Sequence, residues 1–369
     1  MCTHTWQVRL RAGLLGALSA AATGLLGATS ALAAGSVLMA ARSPPSGVER
    51  PSGTSVRDGQ GEFRPSNGNL RGVARRFYAP SSSYWTHALP TTPIYAIATR
   101  PGRIGMIVAP VMINGNGPFR FMLDTGANRT VLASGTVAKL ALESSPNDRI
   151  QVRGVSGLTA VPLVHVASVA SGTLQIHDLS APVLSGPVLE GIDGILGVDG
   201  FAGMRLTADF VRDRVVISSS SDASPSALYA LHGRFVSQQL LLVQGRINGI
   251  STAAVIDTGT TRTLGNQALL AALTHAYPTA TTLAKEGVVD ATDTAQPGSE
   301  RRIPTLQFGT ADIKNLQVIF GDYELFKTWG LQDKPALLLG MDVLGTLAYF
   351  SIDYHRAELQ LLPWPAGNG

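Results

Sequence analysis

The tripeptide Asp-Thr-Gly occurs twice, once in each half of the chain. The copies are Asp124-Thr125-Gly126-Ala127-Asn128-Arg129-Thr130 and Asp257-Thr258-Gly259-Thr260-Thr261-Arg262-Thr263, and five of these seven positions are identical in register. A single Asp-Thr-Gly has little weight, because Asp and Gly are ordinary turn residues. Two copies in matching surroundings have much more. A pair of carboxylates suits acid–base work on water: like charges in contact do not both ionise cheaply, so the pair shares one proton. The ionised member takes a proton from water, while the protonated member polarises a carbonyl. That chemistry requires no metal, cofactor or nucleophilic side chain.

Each motif follows the second strand of an expected hairpin. In the first half, an apolar run over 107–113, the turn Asn114-Gly115-Asn116-Gly117 and a return over 119–123 lead into Asp124. In the second, a run over 240–247, the turn Asn248-Gly249 and a return over 252–256 lead into Asp257. Further downstream, Gly194-Ile195-Leu196-Gly197-Val198-Asp199 matches Leu337-Leu338-Leu339-Gly340-Met341-Asp342. Each copy precedes a strand carrying an acid, Asp209 or Asp353. An apolar pair closed by glycine lets one backbone pass very close to another. Helices are expected near 133–142 and 266–273, and further strands at 150–155, 159–169, 173–176 and 214–217. The order of elements repeats, so the halves read as two similar all-β units, over 101–220 and 228–363, joined near 218–225.

Asp-Thr-Gly-Ala and Asp-Thr-Gly-Thr, each followed downstream by Ile/Leu-Leu-Gly, resemble the aspartic peptidases of the retropepsin and pepsin group. The resemblance covers about 105–362. It implies an all-β fold of two β-barrel-like lobes with short helices and a cleft between them. It also implies an endopeptidase acting on a peptide or protein, with Asp124 and Asp257 as catalytic residues. Thr125 and Thr258 would bond across the interface, and Gly126 and Gly259 would bring their loops against the carboxylates. Ala127 is retropepsin-like and Thr260 pepsin-like. A substrate-covering flap is assigned to Gly154, Val155, Ser156 and Gly157 by its glycine turn alone, since it lacks the tyrosine of pepsins. The region 284–301 reads as a second flap or a long surface loop. The alternative function is a catalytically silent, bilobal peptide-binding protein of the same fold. With both acids in one chain, a monomer is expected.

The remaining sequence bounds the setting. Arg9 and Arg11, an uncharged run and Ala31-Leu32-Ala33 read as a secretory signal over 1–34. The expected location is therefore periplasmic or secreted, with a membrane tether if the signal is retained. Residues 35–100, rich in Ser, Pro, Gly and Arg, read as an irregular linker or propeptide-like stretch. Cys2 is the only cysteine and lies in the signal, which excludes thiol catalysis and thiolate metal sites from the rest. A formal charge of +4, part of it in the signal, is too small to argue for nucleic acid. The seven histidines have no paired metal-ligand spacing. Asp199, Asp209, Asp342 and Asp353 read as local structural acids, and Arg129 and Arg262 as ion-pair partners.

Overall fold

A computed structural model describes residues 31–32, 38–39, 94–95, 105–155, 157–211, 214–220, 229–277, 282–290 and 295–363. The expected signal and linker regions therefore lie outside it, apart from three two-residue strands. These are β1 (Ala31–Leu32), β2 (Leu38–Met39) and β3 (Ile94–Tyr95). Among the described residues, no helix is long and apolar enough to cross a membrane.

In the first half, β4 (Val108–Ile113) and β5 (Asn116–Leu123) form the expected hairpin. Its turn uses left-handed backbone at Asn114 (φ 50°) and Gly115 (φ 75°), the geometry that makes Asn-Gly a tight-turn sequence. Burial alternates along β4, with Ala109, Val111 and Ile113 turned inward. Next come β6 (Val131–Ala133), α1 (Ser134–Lys139), β7 (Ser144–Arg153), β8 (Leu158–Ser171), β9 (Leu174–Leu184) and β10 (Gly194–Leu196). Pairings run β4–β5–β10–β6–β9–β8 and back to β4, which closes a barrel. β7 lies outside that ring, as the outer arm of a long hairpin with β8.

After β11 (Met204–Asp209), β12 (Arg214–Ser219) and β13 (Tyr229–His232), the second half repeats the plan. Its elements are β14 (Arg234–Val236), β15 (Leu240–Ile247), β16 (Ile250–Ile256), β17 (Thr263–Gly265) and α2 (Gln267–Ala276). They continue through β18 (Thr282–Val289), β19 (Ala295–Phe308), β20 (Ala311–Phe320), α3 (Glu324–Thr328), β21 (Ala336–Leu339) and α4 (Met341–Leu344). Here the ring is β15–β16–β21–β17–β20–β19 and back to β15. All four residues of β21 are buried, because this short strand has neighbours on both edges and side chains on both faces. Asn266 starts α2 by accepting from Leu269 N–H at 2.9 Å, while its amide donates to the Leu331 and Lys334 carbonyls.

The fold is thus all-β, with two similar barrels and short helices. A third sheet joins them. Its order is β12–β11–β22–β23–β13, where β22 is Tyr349–Asp353 and β23 is Glu358–Leu362. The expected join at 218–225 begins later than the sequence suggested, because Ser218 and Ser219 complete β12. At the end of β22, the buried Asp353 accepts from the Arg205 guanidinium at 2.6 Å and from Ser220. One apolar cluster extends through both barrels, from Val111 and Phe121 to Leu338 and Phe350.

The close backbone crossings give the first prediction. A Cβ on Gly197 would lie 2.4 Å from the carbonyl carbon and oxygen of Arg129, and neither can yield cheaply. Gly135, in α1, would meet nothing within 4 Å. Gly197→Ala should therefore cost about 1–3 kcal/mol, whereas Gly135→Ala should gain about 0.5–1 kcal/mol. Urea denaturation of both variants beside the parent would test this contrast.

Candidate active site

Each Asp-Thr-Gly loop leaves the end of a barrel strand, β5 or β16. The strand from the downstream Leu-Gly motif lies beside it: β10 runs parallel to β5 and β21 parallel to β16. Asp124 N–H donates to the Leu196 carbonyl at 3.0 Å, and Asp257 N–H to the Leu339 carbonyl at 3.0 Å. Just past each crossing, Asp199 accepts from Thr130 N–H and O–H at 2.9 and 2.7 Å, as Asp342 does from Thr263 at the same distances. The Thr130 and Thr263 hydroxyls in turn accept from Gly197 N–H and Gly340 N–H. Asp199 and Asp342 are therefore not local acids. They clamp each active loop to its crossing strand over 69 and 79 residues of chain.

The two loops are tied by a reciprocal set of bonds. Thr125 N–H donates to Thr258 Oγ1 at 3.1 Å, and Thr258 N–H to Thr125 Oγ1 at 3.0 Å. The Thr125 hydroxyl donates to the Ile256 carbonyl at 2.9 Å, and the Thr258 hydroxyl to the Leu123 carbonyl at 2.7 Å. Both threonines are buried, so all four bonds are shielded from water. Within each loop the glycine amide holds the acid: Gly126 N–H bonds Asp124 Oδ1 at 2.8 Å, and Gly259 N–H bonds Asp257 Oδ1 at 2.7 Å. Gly259 also lies against the other lobe's acid, where a Cβ would stand 2.2 Å from Asp124 Cγ. Only glycine allows that approach.

Asp124 and Asp257 both have 0% of their surface exposed. Burial first, then the charge and carboxyl contact of Asp257, hold the Asp124 carboxyl well above the usual carboxylate range, against the Gly126 and Ala127 amides. Asp124 Oδ2 has no hydrogen-bond partner among the described residues, and the Asp124 carboxyl lies against that of Asp257. That contact is attractive only when the pair holds a proton. The buried Tyr354, near Phe201 and Phe235, is held far above its ordinary pKa by burial and by both carboxylates.

Two further hairpins meet near their ends, where Gly154 lies against Asp290. The first, β7–β8, has its tip at Gly154, Val155 and Gly157, where the sequence placed a flap, with Ser156 outside the described residues. Gly154 N–H donates to the Gly157 carbonyl at 2.8 Å. Val155 is buried, and its carbonyl accepts from Glu324 N–H at 3.0 Å, while Arg153 pairs with the Glu324 carboxylate at 3.2 Å. The second hairpin, β18–β19, resolves the 284–301 region in favour of a paired arm. The buried Asp290 at the end of β18 lies against Gly154, where a Cβ would meet its Oδ2 at 2.2 Å. Sequence reasoning missed Asp290 and Glu324, because neither stands in a repeated motif. Arg262 pairs with Glu300 on β19 and stands 4.0 Å from Asp342, whereas Arg129 lies within electrostatic reach of Asp199.

Two measurements follow from this geometry. Burial lifts the Asp342 carboxyl from 3.8 to about 6, against the Thr263 bonds and the Arg262 charge. An acid whose pKa is higher folded than unfolded favours the fold at low pH, and that advantage is lost as pH rises from about 4 through about 6. Asp342→Asn should flatten this slope, worth up to about 3 kcal/mol over the window, in chemical denaturation at pH 4 and pH 7. Thr258→Val should cost about 1–3 kcal/mol for each of the two backbone groups it strands, Thr125 N–H and the Leu123 carbonyl. Thr258→Ser should recover most of that loss in thermal melts.

A sequence profile described as aspartyl protease matches residues 109–199 and 243–343, more than half of the chain. No curated protein matches. Among solved structures, an aspartic proteinase from Irpex lacteus is 16% identical, with a TM-score of 0.47 over 72% of this chain and 96% of that one. By the profile match, with both Asp-Thr-Gly loops inside the matched segments, this chain belongs to the aspartyl protease family.

Proposed function

We propose that the chain is an aspartic endopeptidase whose catalytic pair is Asp124 and Asp257. The observation that carries this reading is the buried contact of the two carboxyls, one from each lobe, with burial and Asp257 pushing the Asp124 carboxyl well above its ordinary range. The shared proton leaves one acid able to donate and the other able to accept. The ionised member takes a proton from a water whose oxygen adds to the scissile carbonyl carbon. The protonated member hydrogen-bonds the carbonyl oxygen as charge grows there. Collapse of the tetrahedral adduct breaks the C–N bond, and the nitrogen leaves as an amine with a proton from the pair. The products are a carboxylic acid and an amine, and the pair returns to its single proton.

The surrounding structure supports that assignment. The Gly126 and Gly259 amides hold one oxygen of each acid, which leaves the other oxygens for water and substrate. The two hairpins supply backbone with which an extended peptide pairs, so the substrate is a strand-like segment of peptide or protein. Both acids come from one chain, so the proposed unit is a monomer. The exported setting is part of the same proposal, with the signal over 1–34 as its basis. Loss of the shared proton at high pH and gain of a second at low pH should give a bell-shaped pH profile.

The test is cleavage of a mixed peptide library by the full chain from pH 3 to pH 8, read by mass spectrometry. Asp124→Asn and Asp257→Asn should each lower kcat/KM by about 10³-fold or more. A cleavage pattern that survives both substitutions would sink the reading. So would the absence of any cleavage by the folded parent across that pH range, which would leave a peptide-binding protein of the same fold.

A further inference from the structure

Arg129 and Arg262 hold the same place in the two Asp-Thr-Gly loops, but only one of them has its acid. Arg262 pairs with Glu300 on β19 and stands 4.0 Å from Asp342. Arg129 is half-buried and makes no hydrogen bond or ion pair with another described residue. The strand registers show why. Gly265 of β17 faces Phe320 of β20, and Ile319 beside it faces Glu300. In the first half the matching pairs are Leu132 with Val183, and Pro182 with Leu163. Leucine therefore stands where the second half has its carboxylate. Asp199 lies within electrostatic reach of Arg129, but both of its oxygens serve Thr130. Asp342 serves Thr263 in the same way, and Arg262 has Glu300 besides.

The unanswered guanidinium lines a polar cavity of about 360 Å³ at the lobe boundary. The first half contributes Arg129, Asp178 and Asp199 to it, and the second half Gln238 and Gln239. Those glutamines lie in the turn between β14 and β15, where Ser237, Gln238 and Gln239 are all left-handed (φ 42°, 67° and 42°). Residues other than glycine rarely adopt that backbone even singly, and such strain gathers at ligand clamps. Gln239 Oε1 is enclosed and has no hydrogen-bond partner. The second acid of the lining, Asp178, has 89% of its side chain exposed and stands 3.5 Å from His165, so it belongs to the rim. A guanidinium drawn partly out of water calls for a carboxylate, which its planar fork binds through two parallel N–H groups. An acidic residue of a peptide brings both missing groups: a carboxylate for Arg129 and a backbone N–H for Gln239 Oε1.

We infer that this cavity is a carboxylate-binding site, with Arg129 as its anchor and Gln239 as acceptor for a neighbouring amide, and that it makes the chain select peptides bearing an acidic group. The site adjoins the Asp124 loop, since Arg129 is three residues beyond Gly126, whose amide holds Asp124. The carboxylate belongs to an Asp or Glu side chain or to the C-terminus of the peptide. The second half offers no equivalent site, because Glu300 already satisfies Arg262. A bound peptide is therefore fixed in one direction across two otherwise similar lobes. Selection among substrates rests on the peptidase reading, whereas carboxylate binding does not.

The experiment uses the full 369-residue chain carrying Asp124→Asn, so that peptides bind without being cut. Labelled decapeptides with a single Glu moved through every position, each beside its Gln counterpart, are titrated by fluorescence anisotropy at about pH 6, where Glu is ionised. Neutral decapeptides with a free or an amidated C-terminus form the second arm. One Glu position, or the free C-terminus, should bind about tenfold tighter than its uncharged twin, and the arm that responds identifies the source of the carboxylate. Adding Arg129→Gln should bring that ratio to about one, and Arg129→Lys should recover only part of it. Leu163→Glu should also abolish the preference, by giving Arg129 the partner that Arg262 has; urea denaturation checks that each variant folds. With Asp124 intact, the favoured peptide should show the same ratio in kcat/KM. No carboxylate preference in either arm, or one that survives Arg129→Gln, would overturn the site. Selective binding with no cleavage of any peptide by the Asp124 chain would leave the site standing and remove the peptidase reading.

Discussion

Everything in the site depends on four hydrogen bonds made by two threonines across the lobe boundary. Thr125 and Thr258 each donate and accept across the lobe boundary, and each hydroxyl serves a backbone carbonyl of the other half. A hydroxyl is the smallest side-chain group that both gives and receives, and here both functions are used twice. Burial makes the arrangement all-or-none, since a shift that broke one bond would strand buried amides or carbonyls with no water to replace the partner. The carboxyls beside them are thereby held in contact despite their mutual repulsion.

The support for this grip is repeated in both halves. Glycines 197 and 340 let the crossing strands pass close to the loops, and Asp199 and Asp342 anchor the loop ends through Thr130 and Thr263. Both acids are raised by burial, although the Thr130 and Thr263 bonds oppose the shift. A clamping acid from the crossing strand and a carboxyl of the buried pair therefore serve the same loop, held in different ways. The clamping acids accept two hydrogen bonds from a single threonine. Asp124 and Asp257 each receive a glycine amide, and the Asp124 carboxyl also faces that of Asp257.

Much of this was legible in the sequence because it repeats. The paired Asp-Thr-Gly motifs, their leading hairpins and the Leu-Gly crossings all occur twice, and duplication distinguishes a functional turn from an ordinary one. The two barrels and the positions of Asp124, Thr125 and Gly126 with their counterparts could be read in that way. Partners set by three-dimensional closure could not. Asp199 looked local, yet it bonds Thr130 far along the chain, and nothing near Asp290 or Glu324 marked them as contacts for a distant hairpin tip. The 284–301 region, with Gly298 and Pro297 in it, has turn-like composition, but 284–289 and 295–301 pair as strands, and β20 supplies a further edge at 299–301. Ser218 and Ser219 looked like linker for a similar reason, and they belong to β12 because β11 lies alongside.

The sheet shared between the halves has a consequence for how the chain is made. β11, from the first half, finds its partner in β22, and the Arg205–Asp353 bond joins residues 148 positions apart. A ribosome delivering the chain from its N-terminus completes the first barrel long before that partner emerges. Until the last strands appear, β11 lacks its β22 neighbour and Arg205 lacks the Asp353 carboxylate. The shared sheet therefore closes only once the last strands have been made.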